Sequence, residues 1–407
     1  MEIDSENFHS TTFDQLDSIK DCYPMSKAKL GNVYIFNHIT FDDESLGARY
    51  GSMKDCRDLE KLFQNLKFDV TVYNDLVYKD ILEKLSNIAE MDYSNFDCLV
   101  IFVLTHRING KVCARDTEYY PDVYWKQFSD KSSFMHKPKL IFIQASRGDE
   151  ADDGVRVKNA VNTTPTTYPI PAIPDILLMY SCYDGFYSWR SSVTGSSFVQ
   201  CICREFNLHQ RNTDLLTLLT SVNRRLSMYF IKLPDTLNYG ERQIATTVST
   251  LTRRLKQKEV KDSASELTEI DEDSDYYNMN HCRRGTAIIF NHTKFDTNLE
   301  DRKGSMKDAY DLEDALKNLK FDVTTYHDLK YRAIYDVITN LSKANHFDAD
   351  CLLVAVLTHG NTGKIYARDH QYPPDMLWRS FAGDKCPTLA GKPKLFFIQV
   401  EIFRIIT

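Results

Sequence analysis

The stretch Lys137-Pro-Lys-Leu-Ile-Phe-Ile-Gln-Ala-Ser-Arg-Gly-Asp149 decides how this chain folds. Leu140 to Ile143 are all apolar, and Ile141 and Ile143 are β-branched. A short unbroken apolar run of this kind marks a strand covered on both faces. The polar residues from Gln144 onward mark the turn that ends it. Upstream, Val33–Phe36, Phe68–Tyr73 and Cys98–Leu104 read as further strands, and downstream so do Ile176–Tyr180 and Thr246–Leu251. Cys56, Leu59, Leu62, Phe63 and Leu66 fall at helical spacing, behind Ser52 as a helix cap. Ile81, Leu82, Leu85, Ile88 and Ala89 mark a second amphipathic helix, and residues 196–209 and 213–231 carry two more helical patterns. Strands alternating with helices predict an α/β fold, an open and mostly parallel sheet with helices on both faces. Ligands of such sheets sit beyond the carboxyl ends of the strands. His106 and Ser146 both lie just past such ends, so the fold brings them near each other.

Composition narrows the function. The chain has 407 residues, enough for two domains, and its 43% hydrophobic and 26% charged content is that of a globular protein. A net charge of −7 gives no case for nucleic acid or an anionic membrane as partner. No apolar run reaches the ~18 residues of a membrane span, and the acidic start Met1-Glu-Ile-Asp-Ser5 is no secretory signal. The ten cysteines lack metal-ligand spacing; Cys201 and Cys203, the closest pair, have no neighbouring ligand set. Free thiols in a reducing cytoplasm are expected, with no metal and no cofactor.

The chain also contains itself twice. Gly51-Ser-Met-Lys-Asp55 recurs at 304–308, Asn65-Leu-Lys-Phe-Asp-Val-Thr71 at 318–324, and Val103-Leu-Thr-His106 at 356–359, each 253 residues later. Lys137-Pro-Lys-Leu140 recurs at 392–395, offset by 255. The period is too long for a solenoid, so this is a duplicated domain.

Gln144-Ala145-Ser146-Arg147-Gly148 resembles the caspase signature Gln-Ala-Cys-Arg-Gly, with Ser146 at the position of the nucleophilic Cys. The resemblance covers about 24–257 and 276–399, with a short polar leader over 1–23, an acidic linker over 258–275 and a second domain over 276–407. It implies a cysteine-type endopeptidase of apoptotic signalling that cuts after aspartate. By the same resemblance His106 is the catalytic base. Arg49, Gln144 and Arg190 grip the substrate aspartate, and Tyr187 and Trp189 line neighbouring subsites. Ser197 stands where the family commonly has Trp. The family's oxyanion hole uses the Gly after the His; here that residue is Arg107, which lacks glycine's backbone freedom. Ser146 is a second defect, because a serine hydroxyl needs a well-placed base whereas a thiol is already partly ionised.

Cleavage between large and small subunits would require an Asp in the connecting segment, and residues 155–174 contain none. The first copy is therefore expected to stay uncut. Glu269-Ile-Asp-Glu-Asp-Ser-Asp275 reads as a solvated tether, or as a site where an active caspase cuts after Asp271, Asp273 or Asp275. The second copy keeps His359, Gly360, Arg302 and Gln399, has Val400-Glu401 in place of Ala-Cys, and is truncated after the fourth large-subunit strand. Leu395–Ile398 would then form a sheet edge. Ile402-Phe-Arg-Ile-Ile-Thr407 matches nothing in the first copy, as a truncated gene model would end. The expected function is that of an inactive caspase homologue, a regulator or decoy that pairs with an active caspase, or with its own copy as a caspase homodimer, through the edge strand near Thr246–Leu251, or binds protein substrates carrying Asp. The alternatives are an active aspartate-specific endopeptidase using Ser146, and a nonfunctional product of a decayed gene.

Overall fold

The computed structural model describes residues 21–25, 27, 30–108, 110–129, 131–145, 173–182, 188, 190–191, 194–209, 213–228, 243–256, 276–361, 363–382 and 385–402. They form two compact units, one from each copy.

The first unit opens with β1 (Gly31–Asn37), α1 (Ser52–Asn65), β2 (Asp69–Asn74), α2 (Tyr78–Glu90) and β3 (Cys98–Leu104). A small ribbon follows, β4 (Arg107–Ile108), β5 (Lys111–Cys113) and β6 (Glu118–Tyr119), then the short helix α3 (Val123–Lys126) and β7 (Lys139–Gln144). After β8 (Ile176–Tyr180) come the hairpin β9 (Arg190–Ser191) and β10 (Gly195–Ser196), α4 (Ser197–His209), α5 (Leu215–Met228) and β11 (Thr246–Ser249). The main sheet runs β11-β8-β7-β3-β1-β2. Its pairings are parallel except β11 against β8.

Both faces of this sheet are covered, which is why its central strands read as unbroken apolar runs. Along β3, Val100, Phe102 and Leu104 point to a core shared with α1, α4 and α5, while Leu99, Ile101 and Val103 point to a core shared with α2 and the aromatics Tyr124, Trp125 and Phe134. Phe142 on β7 stacks on Phe102 at 4.7 Å. The fold reaches back past the predicted start at 24. Cys22 bridges to Arg254, and buried Tyr23 donates its hydroxyl to Asp175 at 2.6 Å. Ser52 does not cap α1. Gly51 takes that position, and the Ser52 hydroxyl turns instead to Asn37. The β10 hairpin docks on α1 where Ser196 N–H donates to the buried Asp55 at 2.7 Å. Gly195 is required there: its φ is +85°, and a Cβ would lie 2.2 Å from an Asp55 carboxylate oxygen.

The second unit repeats the large-subunit part: β12 (Arg283–Asn291), α6 (Ser305–Asn318), β13 (Asp322–His327), α7 (Tyr331–Lys343), β14 (Ala349–Asn361), β15 (Lys364–Tyr366), β16 (Gln371–Tyr372) and β17 (Lys394–Ile402). β13, β12, β14 and β17 lie side by side in that order and are parallel, with the β15–β16 ribbon continuing from β14. Equivalent residues meet different surroundings in the two units. Phe142 is 0% exposed and its counterpart Phe397 is 54% exposed; Leu66 is 8% exposed and Leu319 is 60%. In the first unit β8, α4 and α5 cover these positions.

This internal control yields a stability expectation. Phe142→Ala removes a fully enclosed ring and should cost the first unit about 3–5 kcal/mol. Phe397→Ala at the matching position should cost the second unit less than about 1 kcal/mol. Chemical denaturation of the two variants, with a probe in each unit, reads the difference; equal losses would contradict the packing described.

Candidate active site

The site forms where the sheet's carboxyl edge meets the start of α1. Arg49, in the loop ahead of α1, is 0% exposed. Its Nη1 donates to the His38 carbonyl at 2.9 Å and to Ser52 Oγ at 3.2 Å, and its Nη2 donates to Gln144 Oε1 at the end of β7. Ser52 in turn donates to Asn37 Oδ1, and Asn37 donates to Asn74 at 2.9 Å. Since Gln144 Oε1 accepts from Arg49, its amide nitrogen is the end that donates to Ser188 Oγ, at 3.1 Å. The same Ser188 oxygen accepts from Gln243 Nε2 at 3.0 Å.

His106, half-buried just past β3, has its Nε2 2.8 Å from the Gly47 carbonyl. A carbonyl can only accept, so Nε2 carries the proton in the neutral ring and Nδ1 is the basic nitrogen. Phe41 packs against the ring at 4.9 Å. The loop that carries Phe41 is pinned by Asp75, whose carboxylate accepts from Ile39 N–H at 2.6 Å and from Thr40 N–H at 3.1 Å. Ala145, one residue ahead of Ser146, is held through both its backbone groups by Ser181, at 3.3 and 3.2 Å. Arg107 starts at β4, beside β3, and its guanidinium stands 5.6 Å from the ring centroid of Tyr180 on β8. Because β7 lies between β3 and β8, the side chain spans the end of the strand that leads to position 146.

The structure therefore brings Arg49, Gln144, His106 and Arg107 to one end of the sheet. Ser146, Tyr187 and Trp189 lie outside the described residues, as do the segment 155–172 and the acidic run 269–275. Arg190 enters through its backbone in β9, opposite Ser196. Ser197 is buried at the start of α4. Sequence reasoning missed Gly47, Phe41, Asp75, Ser181 and Gln243, and took Ser188 only as part of the cleft wall over 187–190. Only the pattern Asn-His-x-x-Phe at 37–41, repeated at 291–295, offered a signal for any of them.

In the second unit Arg302 donates to the His292 carbonyl at 3.2 Å, to Ser305 Oγ at 2.7 Å and to Gln399 Oε1 at 2.5 Å. His359 Nε2 meets the Glu300 carbonyl at 2.8 Å, and Phe295 packs on the ring at 4.8 Å. The polar framework is thus repeated, yet the site is closed. β17 continues past Gln399, pairing Val400 with Thr358, Glu401 with His359 and Ile402 with Gly360. His359 is left 1% exposed. A Cβ at Gly360 would lie 3.1 Å from the Val400 Cβ, so no larger residue fits there without a shift.

His38 and His292, beside the two buried arginines, are enclosed, and none of their ring nitrogens has a hydrogen-bond partner among the described residues. Burial, with the Arg49 charge adding to it, pushes His38 down to about 4, against the pull of Asp75 and Asp116. Burial likewise pushes His292 down to about 4. Depressed histidines leave the unfolded chain binding more protons in acid. Each unit should hold its full stability above about pH 6.5 and lose on the order of 3 kcal/mol as pH falls towards 4. Denaturation against pH should show a shallower acid slope for His38→Gln in the first unit and for His292→Gln in the second. An unchanged slope would contradict neutral burial.

The comparisons with known proteins agree with this architecture. The Caspase domain family matches residues 31–256 and 284–400. Caspase-1 of Drosophila melanogaster is 40% identical over 242 residues, which cover 58% of this chain and 75% of that protein. Caspase-7 of Gallus gallus is 36% identical over 243 residues, 57% of this chain and 79% of the chicken protein. The crystal structure of Caspase-1 from Spodoptera frugiperda is similar with a TM-score of 0.53 at 36% identity, covering 60% of this chain and 96% of that one. The parallel sheet with helices on both faces and the match of the caspase domain in two segments lead to one statement: this chain belongs to the caspase domain family.

Proposed function

We propose that this caspase homologue is catalytically silent and regulates an active caspase, or competes with it for substrates bearing aspartate. The observation that carries the reading is Ser146 at the position of the family nucleophile, with Val400 and Glu401 replacing that region in the second copy. A serine there needs full deprotonation by a base placed for the larger, already partly ionised sulfur. Arg107 adds to the defect. It replaces the glycine whose backbone freedom the family's oxyanion hole uses. In the second copy the strand pairing that buries His359 supports the same conclusion.

Binding is a separate property from turnover. Arg49 and Gln144 are held in a fixed hydrogen-bonded frame, and a guanidinium is the side chain best suited to a carboxylate. That frame supports retention of a pocket for aspartate. β11 is an edge strand on β8 and supplies the backbone for pairing with another caspase domain. The reading places the protein in the cytoplasm, and all ten cysteines are free, seven of them buried.

Hydrolysis of a reporter peptide with Asp before the scissile bond tests this. The full chain should be silent, and Ser146→Ala should leave it so. Ser146→Cys combined with Arg107→Gly should raise turnover at least on the order of 100-fold. Turnover by the unaltered chain that vanishes in Ser146→Ala would make it an enzyme and overturn the reading.

A further inference from the structure

The aspartate pocket has one constituent that neither the sequence motifs nor the family match assigned. Gln243 is 1% exposed and lies three residues ahead of β11. Its Nε2 donates to the Ser181 carbonyl at 2.6 Å and to Ser188 Oγ at 3.0 Å. A side-chain amide nitrogen has two N–H groups, and here both are engaged, so the orientation of the amide is fixed. Ser188 Oγ also accepts from Gln144 Nε2 at 3.1 Å. The chain of contacts therefore runs from Gln243 through Ser188 to Gln144 and on to Arg49. A serine hydroxyl has two lone pairs and a rotating proton. With two amide donors on its oxygen, the Ser188 rotor is set, and the Gln144 amide is held with one N–H on Ser188; the second N–H is the one the aspartate reading gives to the ligand.

Gln243 also ties this frame to the strand beside the reaction centre. Ser181, whose carbonyl it binds, holds both backbone groups of Ala145 through its hydroxyl. One buried amide thus orients the carboxylate-binding glutamine and anchors the end of the strand next to it. The second unit has no counterpart of Ser188 or Gln243 among its described residues.

We propose that Gln243 is a positioning residue that gives the first-unit pocket its selectivity for aspartate, acting through Ser188 and Gln144. The proposal rests on the reading of that pocket as an aspartate site. A buried donor pair that only stabilised the fold would weaken binding of any ligand alike. A residue that aims the Gln144 amide affects chiefly the ligand whose carboxylate that amide meets.

The test is equilibrium binding of two tetrapeptide amides to the full-length chain, one ending in Asp and its twin ending in Asn. The unaltered chain should prefer the Asp peptide by about tenfold or more, the scale of one charge-assisted contact. Gln243→Ala should reduce that preference to about threefold or less. Should this variant fail to fold, Gln243→Met keeps the volume, removes both donors and should give the same reduction. Because Gln243 acts through Ser188, adding Gln243→Ala to Ser188→Ala should reduce the preference no further than Ser188→Ala alone. A preserved preference in the Gln243 variants, or losses that simply add, would overturn the proposal. Absence of any preference in the unaltered chain would instead remove the aspartate pocket itself, and the proposal with it.

Discussion

A guanidinium withdrawn from water must have its N–H groups matched, and the end of this sheet is organised around that requirement. Arg49 is fully enclosed, and its described partners come from separate segments: the His38 carbonyl after β1, Ser52 at the start of α1 and Gln144 at the end of β7. Each partner is then committed in turn, Ser52 to Asn37 and Gln144 to Ser188. The arginine therefore fixes the relative placement of β1, α1 and β7. Burial keeps the neighbouring His38 neutral, and the arginine adds to it, since a second cation beside it would be repelled.

The duplication separates what this frame does by itself from what its surroundings add. Arg302, Ser305, Asn291 and Gln399 reproduce the same contacts in the second unit. The outcome differs because of the backbone that follows the glutamine. In the first unit the paired strand stops at Gln144, opposite Leu104, and His106 stays half-exposed. In the second, three more residue pairs form and the histidine is sealed. Identical polar motifs thus adjoin a partly exposed histidine in one case and a sealed one in the other.

Much of the fold was legible because strands and helices announce themselves by period. The run at 140–143 became β7, and the helical spacing at 56–66 became α1. Arg49, Gln144 and His106 were found because a family motif carries them. What stayed hidden was the support around them. Ser181 and Gln243 belong to no periodic pattern, and the contacts they make join residues tens of positions apart. Ser52 was misread as a helix cap for a related reason. Its position satisfies the local rule, but the nearby buried arginine and Asn37 claim its hydroxyl first.

The glycine after the second histidine carries a wider lesson. Gly360 keeps the family's residue type, and a Cβ there would stand 3.1 Å from the neighbouring Val400 on β17, so any larger residue would force that neighbour to shift. Packing against β17 is a constraint on that glycine independent of any chemistry at the histidine. Its first-unit equivalent is Arg107, which lies beyond the last paired residues of β3 and β7. A histidine–glycine pair therefore carries a packing requirement as well as a catalytic one wherever the adjoining strand runs on past it.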